Sequence, residues 1–277
     1  MDKKAGCRLT RWEDNSRSDI QAKQVMKCSN GKSIFLVKSI SLMGPEIAIN
    51  VKKLMWQFIK WDGSNDSWEE HVPERNTGCP SKFLIMCLNT IQDALQQNGA
   101  DWDRPLFAND WGLEFWNCYV NGNDVLDNNG ADSTIEKIAW VTSTAADTIS
   151  MKEKEGRSFD GPFLLYLVQS QDRSYKVGQV CKFLEVVGIQ TLSLHSDALI
   201  DHQIHSLKSH EPEFLISTPE RLLELLSVKA VDISDVSLMV VDGLEAPFKG
   251  SVYLDSIKSI RQFVSGNPQV VVFCDCK

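Results

Sequence analysis

The sequence predicts an α/β protein built on a parallel sheet covered by helices on both faces. Short, nearly continuous apolar runs recur at residues 137–142 (KIAWVT), 162–168 (PFLLYLV), 190–195 (QTLSLH), 213–218 (EFLIST), 238–242 (LMVVD) and 269–274 (QVVVFC). Runs of that kind are strands buried on both faces. Between them lie stretches whose apolar residues repeat at helical spacing, and such alternation gives a parallel sheet flanked by helices.

The intervening helices are read from their stripes. In 176–187, Val177, Val180, Cys181, Leu184 and Val187 share one face, and in 251–265 Tyr253, Ile257, Ile260 and Val264 do so. The segment 219–227 opens with Thr218 before Pro219, an N-cap followed by proline at the first helical position. Ahead of the alternating region, 32–42 reads as a strand or the start of a helix. Residues 46–61 read as an amphipathic helix with Ile47, Val51, Leu54, Met55 and Phe58 on one side. Residues 62–80 are a loop, and 81–97 a second helix with Phe83, Cys87, Ile91 and Leu95 four apart. Between 106 and 133 the pattern is irregular. Trp111, Phe115, Trp116 and Tyr119 gather there, and such a cluster caps a core more often than it stacks bases. The organisation expected is a flexible basic terminus over 1–32, a mainly helical extension over 33–134, and the α/β unit over 135–277.

The chain has 277 residues and a net charge of −8. Residues 1–38 hold nine Lys/Arg against four Asp/Glu, or +5, which leaves −13 in 39–277. An acidic body is a poor generic nucleic-acid binder, because phosphate binding needs cations that displace counterions. The eight cysteines include no CxxC pair, so a zinc site is not expected. Residues 1–20 are polar and no apolar run reaches the length of a membrane span. These features predict an intracellular protein, nuclear or cytoplasmic, with no membrane contact.

In a parallel sheet ligands bind at the carboxyl ends of the strands, so the loops there carry the functional reading. After the strand at 213–218 comes Thr218-Pro219-Glu220-Arg221 and a leucine-rich helix; about twenty residues later come Val241-Asp242-Gly243-Leu244-Glu245. In order and spacing this series resembles the first RecA-like domain of the DEAD-box RNA helicases, over roughly residues 135–277. The resemblance implies a RecA-like, P-loop NTPase fold. It implies RNA contacts at Thr218 and Arg221 and, from the loop after 162–168, at Ser170 and Arg173.

On this reading the nucleotide motifs are altered. The Walker A counterpart is sought after KIAWVT, at 141–150. There Asp147 falls on the phosphate-binding lysine, Thr148 on the magnesium-binding hydroxyl, and Thr144 and Ala146 on glycines. Unit charges ~4 Å apart interact by about 4 kcal/mol at an effective dielectric of 20, and a carboxylate in the lysine's place reverses the sign. In the Walker B counterpart Asp242 matches the metal-serving Asp, Gly243 replaces the catalytic Glu, and Glu245 follows. The third motif, Ser-Ala-Thr in the family, reads Cys274-Asp275-Cys276. The sequence stops just past it, so the expectation is a fragment or short form of a longer protein, or a single lobe working alone.

The resemblance and its departures predict a catalytically inactive binding or scaffold module in RNA metabolism, with protein partners, possible RNA and no cofactor. Two alternatives stand beside it. One is an RNA-binding protein keeping Ser170, Arg173, Thr218 and Arg221 as its contacts. The other is an active helicase using ATP and Mg, with Asp242, Glu245 and Thr148 serving metal and water. His195, His202, His205 and His210 lie close together, but a solvated helix explains them better than a metal site does. Cys181 lies on a core stripe, where burial accounts for it.

Overall fold

The computed structural model describes residues 34–41, 48–51, 79–99, 104–159, 161–245 and 251–275. Its strands are β1 (Ile34–Ser41), β2 (Ala48–Val51), β3 (Asp124–Asp127), β4 (Leu164–Val168), β5 (Thr191–Leu194), β6 (Phe214–Ser217), β7 (Leu238–Glu245) and β8 (Gln269–Asp275). They form one sheet in the order β2-β1-β3-β8-β7-β4-β6-β5. The six from β3 to β5 are mutually parallel. β1 pairs antiparallel with β3, and β2 antiparallel with β1, extending that edge. The α/β architecture read from the sequence is therefore present: a six-stranded parallel sheet flanked by helices.

The helices are α1 (Lys82–Gln97), α2 (Asp110–Val120), α3 (Ile135–Lys154), α4 (Gln171–Lys182), α5 (Ile200–His210), α6 (Pro219–Ser227) and α7 (Val252–Arg261). Successive strand residues point to opposite faces, and along β4 this splits the interior in two. Leu164, Tyr166 and Val168 join the core beneath α1–α4, with Leu84, Phe115, Trp140 and Phe273. Leu165 and Leu167 join the core beneath α5–α7, with Leu222, Leu225 and Ile257.

Two elements differ from the sequence expectation. The run 137–142 is not a strand but the first half of α3. Thr134 caps that helix, accepting from the Lys137 N–H at 3.5 Å. Glu136 sits in its first turn and Lys152 and Lys154 in its last, matching the helix dipole. No Gly or Pro interrupts it. Every residue from Ile138 to Asp147 is buried, because α3 lies between the sheet and its neighbours α1, α2 and α4. A helix enclosed on all sides is apolar all round and loses the stripe that would distinguish it from a strand. Secondly, the amphipathic helix expected over 46–61 contains strand β2 at 48–51; the remainder of that span lies outside the described residues, as do the tail 1–32 and most of the loop 62–80.

The first parallel strand, β3, falls in the irregular stretch and is bounded by two buried acids. Asp124 accepts the Val270 N–H at 2.7 Å. Asp127 accepts Trp111 Nε1 at 2.9 Å and pairs with Lys137 Nζ at 2.6 Å. The extension before residue 135 thus carries helices α1 and α2 but also strands β1, β2 and β3 of the common sheet. The aromatic cluster caps the core as expected. Trp111 stacks on Phe115 with ring centres 5.3 Å apart, and Trp111, Phe115 and Tyr119 are buried.

Two expectations follow. Gly112 of α2 faces Trp140 of α3, and a Cβ there would lie 2.0 Å from the indole. Gly112→Ala gains helix propensity but forces the indole away from its hydrogen bond to the Leu106 carbonyl (2.8 Å). We expect a net loss of about 1–3 kcal/mol, read as a lower urea midpoint. Burial pushes the Cys87 and Cys118 thiols up to about 12 and Cys181 higher still, whereas Cys79 is exposed. Iodoacetamide at pH 8 followed by peptide mapping should label Cys79 in the native protein, and Cys87, Cys118 and Cys181 only after denaturation.

Candidate functional site

The site lies at the carboxyl ends of β3, β7 and β4. β3 ends at Asp127, the loop 128–134 follows, and α3 starts at Ile135. Strand, loop and helix N-terminus in that order are the setting of a phosphate loop. Laid on the pattern G-x-x-x-x-G-K-[ST] with Thr134 at the last position, Asp127 and Asp132 stand on the glycines and Ser133 on the lysine.

This placement corrects the position of the expected nucleotide residues. Asp147 lies twelve residues into α3, about 18 Å along the axis at 1.5 Å per residue. Its carboxylate accepts the Ser81 hydroxyl at 2.5 Å and so ties α3 to the start of α1. Thr148 donates to the Thr144 carbonyl at 2.9 Å and stands 3.2 Å from the Tyr119 hydroxyl. Both serve helix packing, and neither belongs to the strand-end site.

Asp242, at the end of β7, is the hub of that site and is buried. Its Oδ1 accepts the Ser133 N–H at 3.1 Å and Arg173 Nη1 at 3.0 Å. Its Oδ2 accepts the Ser133 hydroxyl, and the Tyr166 hydroxyl stands 3.1 Å from Ser133 Oγ and 3.5 Å from Oδ2. Burial pushes the Asp242 carboxyl up from the ordinary range; the Ser133 bonds and the Arg173 and Lys176 charges pull the other way. Burial and the Asp242 charge push the Tyr166 phenol well up, so it stays a neutral donor. Arg173 Nη1 also donates to the Ala131 carbonyl at 3.2 Å, and its Nη2 pairs with Asp132. Lys176 Nζ donates to the Ser133 carbonyl at 3.2 Å. The cavity lined by Asp132, Ser133, Arg173, Lys176 and Asp242, with Asp172 and Val177, holds about 170 Å³, below the roughly 300–1,000 Å³ of small-molecule sites.

Gly243 is a conformational requirement as well as a missing carboxylate. Its φ is +104°, it sits at a register shift between Asp242 and Leu244, and a Cβ would lie 2.9 Å from Gln169 Cβ and 3.3 Å from Arg173 Nη1. A glutamate there meets strain and a clash together. Tyr253 donates to the Asp242 carbonyl at 2.8 Å and fixes the strand end from α7. Glu245 is exposed at the end of β7. Cys274 is buried in β8, and Cys276 lies outside the described residues. The residues present do not fit a magnesium–triphosphate. The lysine position is a serine, the carboxylate is already filled by protein donors, and the cavity is small.

The four residues expected to contact RNA separate. Ser170 is exposed at the start of α4, where its hydroxyl accepts the Arg173 N–H at 3.5 Å. Arg173 is turned inward to Asp242. Thr218 occupies the N-cap position of α6 without a side-chain capping bond. Arg221 is buried; it donates to Gln203 Oε1 at 2.8 Å, to Glu224 Oε2 at 2.7 Å and to the Ala198 carbonyl. It is a strut between α5 and α6 rather than a presented cation. Of the histidines, His195 stacks on Tyr175 at 4.4 Å, and no group of three metal-ligating side chains occurs among the described residues. The sequence reading missed Asp132, Ser133 and Tyr166. The signal available for the first two was the turn-rich NNGADST run ending in a good N-cap.

No family model matches the chain. It is 27% identical over 168 residues to the probable ATP-dependent RNA helicase ddx5 of Dictyostelium discoideum, covering 57% of this chain and 24% of that protein. It is 28% identical over 106 residues to the DEAD-box ATP-dependent RNA helicase CshA of Streptococcus pneumoniae, covering 38% of this chain and 19% of that one. The chain thus spans about a quarter or less of the curated relatives it matches. Among solved structures, a hypothetical ATP-dependent RNA helicase from Sulfolobus tokodaii aligns with a TM-score of 0.49 at 15% identity, over 68% of this chain and 50% of that one. The chain is similar to DEAD-box RNA helicases, as its motifs suggest.

Asp147, on α3 against the start of α1, is a buried carboxyl. Burial raises its carboxyl pKa, against the lowering effects of Ser81 and Lys154. A carboxyl with a folded pKa above its unfolded value destabilises the fold once ionised. That penalty is absent below the unfolded pKa and complete above the folded one. Asp147→Asn keeps an acceptor for Ser81. Its melting temperature should match the parent in acid and exceed it at neutral pH.

Proposed function

We propose that the chain is an RNA-helicase-like lobe that works inside the cell as a binding module in RNA metabolism, without hydrolysing ATP. The observation that carries this reading is Ser133. It stands where a phosphate loop needs its lysine, and it turns both its N–H and its hydroxyl onto Asp242. Donors aimed at a carboxylate of the same chain are not aimed at a phosphate, and the lysine's neutralising charge is absent. Gly243 supports the same conclusion, because a glycine neither orients water nor takes a proton. The active-helicase alternative loses one of its three groups, since Thr148 sits deep in α3.

A second reading, that RNA is a partner, is favoured by Tyr175 on α4. Its ring is half exposed and backed on one side by His195, just past the end of β5. A backed aromatic ring with a free side is a stacking surface for an unpaired base. The acidic body works against tight nucleic-acid binding, so protein partners stand beside RNA in the proposal.

A fluorescent ATP analogue titrated with and without Mg²⁺ should show no binding at micromolar concentration; micromolar affinity would remove the reading. Filter binding to single-stranded RNA at several salt concentrations tests the second. RNA contact predicts affinity that falls with salt and drops about fivefold or more in Tyr175→Ala, where loss of a stacked base is worth about 1–3 kcal/mol. No retention at low salt would leave protein partners alone.

A further inference from the structure

Resting on the reading that this site no longer serves a nucleotide, we propose that Arg173 is the lobe's own cation: its guanidinium fills the place between Asp132 and Asp242 that a bound cation would take, and so holds the 128–134 loop closed on β7. Three surfaces meet at this side chain. Nη1 donates to Asp242 Oδ1 at 3.0 Å and to the Ala131 carbonyl at 3.2 Å, and Nη2 pairs with Asp132. α4 therefore grips the loop at two consecutive residues and the end of β7 at a third point. A flat fork with several donors suits bridging of this kind, which one ammonium does less well. Lys176, one turn further along α4, adds a grip on the Ser133 carbonyl.

Charge and shape agree. Asp242 is buried, and with one partner removed an enclosed carboxylate is strongly destabilising. Arg173 and Lys176 face Asp132, Asp172 and Asp242 around the cavity, so the cluster lacks the excess positive charge that would recruit an anion. The absent side chain at Gly243 leaves the guanidinium uncrowded, since a Cβ there would lie 3.3 Å from Nη1. Gly243 in β7 and Arg173 in α4 thus belong to one arrangement. The loop acquires in the folded chain the closure that a ligand would otherwise supply.

The test is a double-mutant cycle on the full chain. Arg173→Gln, Asp242→Asn and the pair are compared by urea unfolding. The substitutions should couple by about fivefold or more in the unfolding equilibrium constant, as interacting neighbours do; a smaller coupling overturns the proposal. In parallel, MnCl₂ should leave the parent's melting temperature unchanged and raise that of Arg173→Gln by several degrees. A parent that responds as strongly as the variant overturns it as well. Should a variant fail to fold, hydrogen exchange on the unmodified chain decides. The Ser133 amide should be protected and indifferent to Mg²⁺, and exchange at the rate of an open loop overturns the closure. The two proposals fail separately: additive substitutions in a chain that binds no nucleotide would remove the clasp alone, and micromolar nucleotide binding with the coupling intact would remove the inactive reading alone.

Discussion

One buried carboxylate organises the carboxyl end of this sheet. Asp242 has lost water at both oxygens, and an unpaired buried charge is among the most destabilising features a fold can carry. The chain answers with donors from three places: Ser133 from the loop after β3, Arg173 from α4, and the Tyr166 hydroxyl beside them from β4. Each is delivered by a different element, so the carboxylate is satisfied only when the loop, the helix and the strands are all in register. The conformation of 128–134, the inward turn of Arg173 and the left-handed backbone at Gly243 follow from that one requirement.

The rest of the architecture supplies the rigidity this needs. α3 is enclosed by the sheet and by α1, α2 and α4, with contacts close enough that Gly112 has no room for a methyl group beside Trp140. Its N-terminus at Thr134 is therefore a fixed point from which the loop is hung. On the opposite face, Tyr253 of α7 holds the Asp242 and Leu167 carbonyls at 2.8 and 3.3 Å, and so positions the ends of β7 and β4 independently of the loop. Arg221 does comparable structural work between α5 and α6.

Much of this was legible in the sequence. Strands β4 to β8 announced themselves as apolar runs, α4 and α7 as stripes, and α6 by its Thr218-Pro219 start. Asp242 was legible as the residue at the critical strand end, where it gathers hydrogen bonds from Ser133 and Arg173. The misreading of KIAWVT had one cause, complete burial, which erases helical periodicity. It moved the Walker A search one element too far, to Asp147. The first parallel strand, β3, was invisible to a search for apolar runs because Asp124 and Asp127 bracket only Val125 and Leu126. Those acids are tolerated inside because Val270, Trp111 and Lys137 meet them, and such partners are distant in sequence. The inward orientation of Arg173 and Arg221 was likewise beyond sequence reasoning, since a surface cation and a buried strut look alike until the acceptors are placed.

The chain is similar to RNA helicases, and the strand-end site is occupied by its own side chains; the second of these is what supports the proposed lobe uncoupled from nucleotide. The most direct measurement is a crystal structure of the protein grown with Mg²⁺ and a non-hydrolysable ATP analogue. The account predicts an unchanged loop, with Ser133 and Arg173 on Asp242 and no nucleotide at the end of β3. A phosphate chain along residues 128–134, with the guanidinium displaced and a metal beside Asp242, would contradict it.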